Sequence, residues 1–578
     1  MGSVLIMVLA FVGYIIAYQL YGKFIGNKIF ELSNANKTPS VEFEDGVDYV
    51  PTKKGIIFGH HFTSIAGTGP IVGPAIAVIW GWLPALIWVF VGSIVMGAVQ
   101  DFSALVLSLR NQGKSISEVA TEIVGKKIRI AFFLIVFIEL WLFIAILGKV
   151  MAAVFAQYPE SVFPFWIEIP IAIVLGWALY KKGVKTVTGT FWAVFAMYAT
   201  VVIGHWIPIN VGGIGIFDNI AVWTIILFIY AFIASTLPVT TLLQPRDYMN
   251  AWELFVAMGL LILGVIVAGF GGGMTISAPV VDATPAAAPS LWPFLFITIA
   301  CGAISGFHSV VASGTTSKQI AKEEDALFVG YGSMLTEGAL AVLVIIACCA
   351  GLGLAARDGD MNTTAVWAET YSKWGHVAPT TAFIDGSANI VTYLFIPKSI
   401  ALIIMGVFVA SFAGTSLDTT TRLQRYVIQE LLGSSKRVGG DTAHWYTNKY
   451  GATAIALITA ALLAFSGGLT ADGKITAVGA TVLWPLFGAN NQTLAALALF
   501  AASVYLKKRG GKKYLATFLP ALFMFVMTIW ALVSNEMSYV TGGNVLLGVV
   551  NIVIIIIAVF IAIASLQAMA KARKETIA

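Results

Sequence analysis

Charge is scarce in this chain of 578 residues: Asp, Glu, Lys and Arg make up 11% of it, whereas hydrophobic residues make up 58%. A soluble protein of this length needs many more polar side chains to cover its surface. The hydrophilic segments are also short, which excludes a large soluble domain with a separate activity. The shortage of charge therefore predicts an all-α polytopic membrane protein.

Cysteines are few, and the motifs of hydrolytic enzymes are missing. The three cysteines, Cys301, Cys348 and Cys349, lie in apolar stretches, where burial as small hydrophobic side chains is the simplest explanation. The sequence has neither a GxSxG nucleophile turn nor an HExxH zinc pattern. We therefore expect no disulfide framework, no enzyme activity and no cofactor.

The net charge of +5 is spread among short loops and is not gathered on one segment. Most basic residues fall on every second connection between apolar segments, which is the pattern of cytoplasmic loops. This alternation predicts a multi-pass protein of a bacterial or archaeal cytoplasmic membrane, with the N-terminus outside and the C-terminus inside. Its surroundings are therefore the lipid bilayer, and a nucleic acid is not an expected partner.

About fifteen apolar segments are long enough to cross a bilayer as helices. The second, over residues 56–79, is interrupted by Gly and Pro at 67–70, and the seventh, over 219–238, is interrupted at 235–238. Inside a membrane, a helix can lose backbone hydrogen bonds only where the freed groups line a cavity or bind a ligand. Because the two interrupted spans are five apart, the halves that they begin must cross the membrane in opposite directions, as inverted repeats do.

These interruptions divide the chain into four parts. An N-terminal helix and cytoplasmic loop occupy residues 1–55, the first five-helix repeat 56–218, the second, inverted repeat 219–430, and additional transmembrane helices 431–578. In such a core the interrupted helices meet near mid-depth and hold the solute. The predicted solute-binding residues flank the two interruptions and are Ser64, Gly67, Thr68, Gly69, Thr236 and Thr240.

The ninth span, over residues 292–313, ends in a run of hydroxyl side chains. Ser313, Thr315 and Thr316 lie near its cytoplasmic end. Hydroxyl oxygens and unwound backbone carbonyls are suitable ligands for a small cation such as sodium. Each hydroxyl could equally bond its own helix or pack against a neighbour, so the predicted sodium site depends on its position in the second repeat.

Several stretches, in order along nearly the whole chain, resemble the signature segments of the carbon starvation protein A family. They are GHHFTSIAGTGPIVGP (59–74), GAVQDF (97–102), QPRDY (244–248), SGFHSVVASGTTSKQI (305–320), DALFVGYGSMLTEG (325–338), TSLDTTTRLQRY (415–426) and LWPLFGANNQTLA (483–495). The resemblance implies an importer of peptides or, in some branches, of pyruvate, coupled to protons. It also implies the amino acid-polyamine-organocation superfamily and hence a five-plus-five, LeuT-like core of broken helices. Gln100 stands where several relatives have His, so a proton role at that position does not follow.

Ionisable side chains inside spans are costly and are therefore candidates for coupling an ion. Counted along their helices, Asp101, Glu139 and Glu337 lie at similar depth, and three histidines lie near them in the inner half of the bilayer. A desolvated carboxylate in this position would be a suitable proton carrier. The candidates for ion coupling are Asp101, Glu139, His60, His61, His308, Ser313, Thr315 and Thr316.

Two alternatives stay open for the bound ion. The coupling ion is either a proton or sodium. In addition, His60, His61, His308 and Asp101 have the ligand types of a divalent metal site, although no spacing motif supports one.

The simplest function for this pattern is secondary active transport by alternating access. A nutrient-sensing membrane protein or a channel without active transport is the alternative. A sensor usually has a soluble output domain, however, and a channel gains nothing from two helix breaks in inverted halves. Peptides and pyruvate both remain candidate solutes, and the sequence assigns no oligomeric state.

Overall fold

The computed structural model describes residues 2–572 apart from 47, 240, 272, 286–287, 355–362, 373, 375–376, 433–443, 467, 471 and 478–479. Regular structure in these residues is helical, and β-pairing is confined to isolated bridges such as the one between Thr52 and Ile320. The main helices are, in chain order, α1 (Gly2–Ile29), α2 (Lys54–Ala66), α3 (Gly69–Trp80), α4 (Trp82–Leu109), α5 (Ile116–Val124), α6 (Lys126–Gln157), α7 (Pro159–Leu179), α8 (Thr186–Gly204), α9 (Asn219–Thr236), α10 (Leu243–Gly271), α11 (Leu291–Thr298), α12 (Gly306–Gly314), α13 (Leu327–Gly351), α14 (Thr363–Thr370), α15 (Pro379–Thr392), α16 (Lys398–Leu432), α17 (Lys449–Ala464), α18 (Ala480–Lys508), α19 (Leu515–Thr541) and α20 (Val545–Lys571).

Within the described residues, 11 helices are long and apolar enough to cross a membrane, or up to 12 if the bent pair of α2 and α3 counts as one span. Each of the roughly fifteen predicted spans overlaps a helix, but three of them are not among these 12: the ninth, the twelfth and the thirteenth, which is α18. The ninth is divided into α11 and α12 by residues 299–305, and the twelfth, α17, has only 16 residues. The chain is thus a multi-pass membrane protein, while the exact number of spans and the predicted boundaries of its four parts stay predictions.

The second span is broken where the sequence predicts a break. The α2 helix ends at Ala66, α3 begins at Gly69, and the two helices are bent by 42°. Gly67 has a φ of +45°, which residues with a side chain rarely adopt, and a Cβ atom there would lie 2.2 Å from the Ser416 hydroxyl oxygen. Glycine is therefore required at this position both by the backbone and by the approach of α16.

The interruption of the ninth span lies directly against this first break. A Cβ atom on Gly69 would lie 2.3 Å from the Cys301 sulfur, and one on Gly73 would lie 2.7 Å from the carbonyl oxygen of Thr298. Gly302 has a φ of +89°, which allows the chain to turn between α11 and α12. Two discontinuous helices therefore meet in the interior of the bundle.

The sequence predicts instead that the break of the seventh span meets the first one, but the hydrogen bonds of the described residues do not join the two, and the pairing stays a prediction. The α9 helix ends at Thr236, as predicted, but the Leu237 carbonyl accepts a hydrogen bond from Arg422, toward the C-terminal end of α16. Ser416, which touches Gly67, lies about 9 Å earlier along that helix. Glycine and proline mark the positions where helices break, but they do not indicate which breaks come together.

Long helices enclose the two broken ones. The helices α6 and α16 pack against each other through the centre of the bundle, α16 and α13 pack on α2 and α3, and α18 packs on α11 and α12. The most apolar windows of α13 and α16 are 89% buried within the protein. By contrast, Trp177, Phe191 and Trp192 on the α7–α8 hairpin are more than half exposed, as lipid-facing side chains are. The polar groups next to the breaks therefore lie in the protein interior.

Candidate functional site

Four buried ionisable side chains, which we call the histidine cluster, lie around the two breaks. They are His61 on α2, Asp101 on α4, His308 on α12 and Glu337 on α13. The Nε2 atom of His61 is 3.0 Å from Oδ2 of Asp101, and that oxygen is 3.8 Å from Nδ1 of His308. The Nε2 atom of His308 is 3.3 Å from Oε2 of Glu337. The histidine cluster is therefore a continuous file in which imidazoles and carboxylates alternate.

Each end of the histidine cluster contacts a different part of the chain. At one end, Nδ1 of His61 is 2.8 Å from the Thr316 hydroxyl oxygen, in the turn after α12. At the other end, Oε1 of Glu337 accepts a hydrogen bond of 2.9 Å from the backbone amide of Gly302. Because Gly302 lies in the break between α11 and α12, the histidine cluster is hydrogen-bonded directly to that break.

Several buried atoms of the cluster have no hydrogen-bond partner within the described part of the chain. They are Oδ1 of Asp101, both ring nitrogens of His308 and Oε2 of Glu337. The contacts of His308 are thus at ion-pair distance but lack hydrogen-bond geometry. A buried polar atom left without a partner costs about 1–3 kcal/mol. These atoms are therefore available to gain a proton or a ligand.

His60 lies in a second buried pair, apart from the histidine cluster. Its Nδ1 atom is 2.5 Å from Oδ2 of Asp247 on α10, and the same oxygen accepts from the Ser64 hydroxyl at 3.3 Å. The Thr63 hydroxyl donates to the Asp247 carbonyl at 2.8 Å. Adjacent residues on a helix project roughly 100° apart, so His60 and His61 face different partners. The predicted group of ion-coupling residues is divided for this reason.

The same division corrects the predicted metal site. That site consisted of His60, His61, His308 and Asp101. The ligand atoms that come together are instead those of Cys301, His308 and Glu337, which lie within 4.8 Å of one another. Thiolate, imidazole and carboxylate are all ligands for zinc and related ions. These three residues have the chemistry to hold such an ion, whereas the predicted set does not converge.

Glu139 also lies outside the histidine cluster. It is buried on α6, where its Oε2 atom accepts a hydrogen bond of 2.8 Å from the Asn490 amide on α18. The neighbouring Asn491 accepts a hydrogen bond of 2.8 Å from the backbone amide of Phe307, at the start of α12. The partner of Glu139 is therefore α18, and the predicted grouping of Glu139 with Asp101 is not what the side-chain contacts show.

The predicted sodium site does not form. The Ser313 hydroxyl donates to a carbonyl of its own helix and accepts from the backbone amide of Ile116 on α5. The Thr315 hydroxyl donates to a carbonyl one turn back in α12. Only Thr316 reaches α2, where it meets His61. Because a helical hydroxyl can bond the carbonyl four residues earlier, these three side chains do not converge on a cation.

Three of the predicted solute-binding residues, Gly67, Thr68 and Gly69, lie together in the first break. The side chain of Thr68 is buried, and its hydroxyl has no partner within the described residues. The same is true of the Ser416 hydroxyl, which lies beside Gly67. The break therefore offers free hydroxyl groups next to the first turn of α3.

The other predicted solute-binding residues do not join this group. The Ser64 hydroxyl donates to Asp247. The Thr236 hydroxyl donates to the Ile233 carbonyl of its own helix. Thr240 lies outside the described residues.

A further buried group, which we call the arginine cluster, was missed by sequence reasoning. At its centre, Arg246 near the start of α10 donates from Nε to Oε1 of Glu168 at 2.7 Å and from Nη1 to Oδ2 of Asp418 at 2.5 Å. The Tyr230 hydroxyl donates to the same oxygen of Asp418 at 2.6 Å, and the Ser411 hydroxyl donates to Oε2 of Glu168 at 2.5 Å. The cluster ties α10 to α7, α9 and α16.

The sequence does contain a signal for the arginine cluster. Arg246 and Asp418 fall within two of the signature stretches, at 244–248 and 415–426. The hydropathy pattern nevertheless assigns Arg246 to a loop, because the apolar part of the eighth span begins near residue 252. The α10 helix begins earlier, at Leu243, and this extension carries the arginine into the bundle.

Comparison with known proteins places these features in a family. The sequence pattern of the family described as "Carbon starvation protein CstA" matches residues 2–531. The chain is 34% identical to "Peptide transporter CstA" of Campylobacter jejuni subsp. jejuni, over 94% of this chain and 82% of that protein. It is 32% identical to "Pyruvate/proton symporter BtsT" of Escherichia coli, over 90% of this chain and 80% of that protein.

The fold is similar to that of a manganese transporter of Eremococcus coleocola, in a crystal structure with an aromatic bis-isothiourea substituted compound. The TM-score is 0.50 at 12% identity, over 92% of this chain and 99% of that chain. This likeness concerns the fold alone and agrees with the helical transporter core that the signature stretches imply, while the inverted repeat stays a prediction. The chain belongs to the carbon starvation protein CstA family and is a secondary membrane transporter.

Proposed function

We propose that this protein imports small peptides or pyruvate-like carboxylates by alternating access, with a proton as the driving ion. The names of the two relatives support both classes of solute, and one relative is described as a proton symporter. The distribution of basic loops supports an N-terminus outside and a C-terminus in the cytoplasm. The observation that supports proton coupling is the histidine cluster with its hydrogen bond to Gly302.

The histidine cluster has the chemistry of a proton carrier. Imidazole and buried carboxyl groups both exchange protons within the physiological range when their surroundings favour it. Asp101 lies between His61 and His308, so its charge decides whether a proton on either ring is stabilised. His308 in turn faces Glu337, so a proton can be held at either end of the file.

Protonation is coupled to the solute site through the contact of the two breaks. An ionised Glu337 holds the Gly302 amide by a charge-assisted hydrogen bond, and a proton on this carboxylate weakens that bond. A Cβ atom on Gly69 would lie only 2.3 Å from the Cys301 sulfur, so the two breaks are in van der Waals contact. A proton on Glu337 therefore changes the contact between the two discontinuous helices.

In this proposal the solute carboxylate binds at the N-terminal end of α3. This helix begins at Gly69, whose backbone amide, together with the positive end of the helix dipole, attracts an anion; Pro70 has no N–H, and the amides of Ile71 and Val72 donate to the Thr68 carbonyl. The free hydroxyls of Thr68 and Ser416 lie beside the same turn. Peptides and pyruvate both carry the carboxylate that this end would bind. Sodium is the weaker coupling candidate, because the three hydroxyls predicted to hold it do not converge.

The Asp101→Asn variant tests the proton role. Asn keeps the shape of the side chain but cannot carry the negative charge, so the proton-driven accumulation of labelled dialanine or pyruvate in sodium-free proteoliposomes should be lost. Exchange of labelled for unlabelled solute should persist. The matched control is Ser103→Ala on the same helix, because within the described residues the Ser103 hydroxyl bonds only a carbonyl of α4.

Two results would contradict the proposal. Equal accumulation by wild type and Asp101→Asn would remove Asp101 from the coupling mechanism. Loss of exchange together with accumulation, in a variant that elutes as a folded protein, would show that the carboxylate serves the solute and not the proton.

A further inference from the structure

A cavity of about 480 Å³ opens at the end of the bundle where α6 ends and α16 begins. The opposite end of α6 is fixed by Arg129, which donates to the carbonyl of Glu430 in the last turn of α16. The cavity therefore lies at the other end of these two helices, which is the outer end in the proposed orientation. We call it the outer cavity.

The outer cavity is lined by side chains of both charges. Glu160, in the first turn of α7, and Asp385, on α15, supply carboxylates. Lys398, the first residue of α16, supplies an ammonium group, and His205, just after α8, supplies an imidazole. These four groups come from separate elements, so the cavity gathers positive and negative charge that the sequence holds far apart.

The groups at the inner wall are fixed in place while still having capacity for a ligand. The Tyr158 hydroxyl donates to Oδ1 of Asp385 at 2.9 Å. The Asn389 amide nitrogen donates to the Gly351 carbonyl at 3.1 Å, yet its buried oxygen Oδ1 has no partner within the described residues. Asn389 is 5% exposed. A buried acceptor that lines a cavity without a partner indicates a missing hydrogen-bond donor.

Lys398 is free to bind an anion. The side chain is exposed and forms no ion pair within the described residues, although its charge acts on Asp385. Burial raises the pKa of the Asp385 carboxyl, and the hydrogen bond from Tyr158 and the charge of Lys398 act in the opposite direction. Asp385 and Lys398 are thus near enough to influence each other without neutralising each other by contact.

We propose that the outer cavity is a first binding site for short peptides in their zwitterionic form. Lys398 and His205 bind the peptide carboxylate, and Asp385, Glu160 and the free oxygen of Asn389 bind the ammonium group. The volume lies within the range of pockets that hold small organic molecules. Pyruvate has a carboxylate but no ammonium group, so it can use only one side of this site. This inference rests on the proposed function and narrows its solute class to dipolar peptides.

The experiment compares four labelled solutes in proteoliposomes: dialanine, N-acetyl-dialanine, dialanine amide and pyruvate. Asp385→Asn keeps the acceptor for Tyr158 but removes the negative charge. We expect it to raise the KM of dialanine about tenfold, the usual size for losing a charged hydrogen-bond partner, and to leave the KM of N-acetyl-dialanine and of pyruvate unchanged. Lys398→Gln should raise the KM of dialanine to a similar extent and leave that of dialanine amide unchanged. The control is Lys474→Gln, an exposed lysine outside the cavity.

The pattern across solutes decides the outcome. Equal effects of Asp385→Asn on dialanine and on N-acetyl-dialanine, or no effect of either variant, would overturn the inference. If wild-type protein accumulates none of the four solutes, the proposed function fails, and equilibrium binding of labelled dialanine to the purified protein still tests the cavity. Binding that Asp385→Asn and Lys398→Gln both weaken would support the site, and binding that neither variant changes would overturn it.

Discussion

The histidine cluster and the arginine cluster are both buried in the helix bundle, but they hold different kinds of charge. In the arginine cluster, one guanidinium is fixed by Glu168 and Asp418, with a distance of 2.7 Å or less to each. In the histidine cluster, every member can gain or lose a proton, and His308 lies 3.3 Å or more from both of its carboxylate neighbours. The central charge of the first group is fixed by short hydrogen bonds, whereas His308 in the second has only longer contacts.

This difference separates a structural role from a coupling role. Arg246 keeps its proton under all conditions in a protein, so the arginine cluster cannot cycle between two charge states through its central residue. It joins α10 to three other helices and keeps them in register. The histidine cluster can change its charge, and it ends on the Gly302 amide in one of the two breaks. Mutations in the two clusters should therefore fail in different ways.

The largest effect is expected from Arg246→Met. The substitution leaves Glu168 and Asp418 buried without their positive partner, and breaking a buried ion pair in this way costs about 3–5 kcal/mol. We expect a large fall in melting temperature in detergent, measured by the fraction of protein that stays monodisperse after heating. Arg509→Met, at a partly exposed arginine that contacts Glu31, is the control and should melt close to wild type. A folded but inactive Arg246→Met protein with the wild-type melting temperature would show that the arginine cluster acts in transport and not in stability.

A smaller and more selective effect is expected from Glu337→Gln. The amide oxygen of Gln can still accept from the Gly302 amide, so the break should keep its shape, but the side chain can no longer take up a proton. We expect proton-driven accumulation to fall at least about tenfold, equivalent to about 1.4 kcal/mol, with little change in melting temperature. Comparing accumulation and exchange in the same proteoliposomes checks this. A variant that melts far below wild type would show that Glu337 is structural, like Arg246.

Part of this comparison could be predicted from the sequence. The cost of burying charge in a membrane identifies His61, Asp101 and His308 as functional candidates, and glycine with proline locates the break at 67–70. These inferences need only the position of a residue along its helix. Whether two residues meet depends on the direction in which each side chain points, and this is why His60, next to His61, was placed with the wrong partners.

Contacts between distant segments were beyond the sequence for the same reason. The interruption at 299–305 contains no proline and one glycine, Gly302, so its composition is close to that of an ordinary apolar helix, and only the structure shows it against Gly69. The arginine cluster was missed because an apolar window excludes the polar first turn of α10, where Arg246 lies. The pattern of apolar residues predicts the parts of helices that face lipid. It does not predict polar turns that are buried inside the bundle.

Thr316→Val tests the cytoplasmic end of the histidine cluster and should have a modest effect. It removes the hydroxyl that faces Nδ1 of His61, and one such hydrogen bond contributes about 0.5–1.5 kcal/mol. The tautomer of His61 would no longer be held by this contact, so we expect the pH dependence of accumulation to shift while exchange persists. Thr315→Val is the matched control, because the Thr315 hydroxyl bonds only its own helix in the part of the chain that the structure describes. Identical pH profiles for the two variants would exclude Thr316 from the proton path.

The smallest effect is expected from Glu31→Gln, which removes an exposed ion pair outside both clusters. The hydrogen bond from Lys513 is the main cause that lowers the pKa of the Glu31 carboxyl. A carboxyl group with a lowered pKa stabilises the folded state above its ordinary pKa, and this contribution is lost as the pH falls through the lowered value. The side chain of Glu31 is 50% exposed, so the contribution should be less than about 1 kcal/mol. The melting temperatures of wild type and Glu31→Gln should therefore differ slightly at neutral pH and converge in acid, when both are measured at the same ionic strength. A large difference at neutral pH, or one that grows in acid, would contradict this prediction. It would show that the Glu31–Lys513 pair holds the loop after α1 to the loop after α18 more strongly than an exposed ion pair can. The contrast between buried and exposed charge would then need revision.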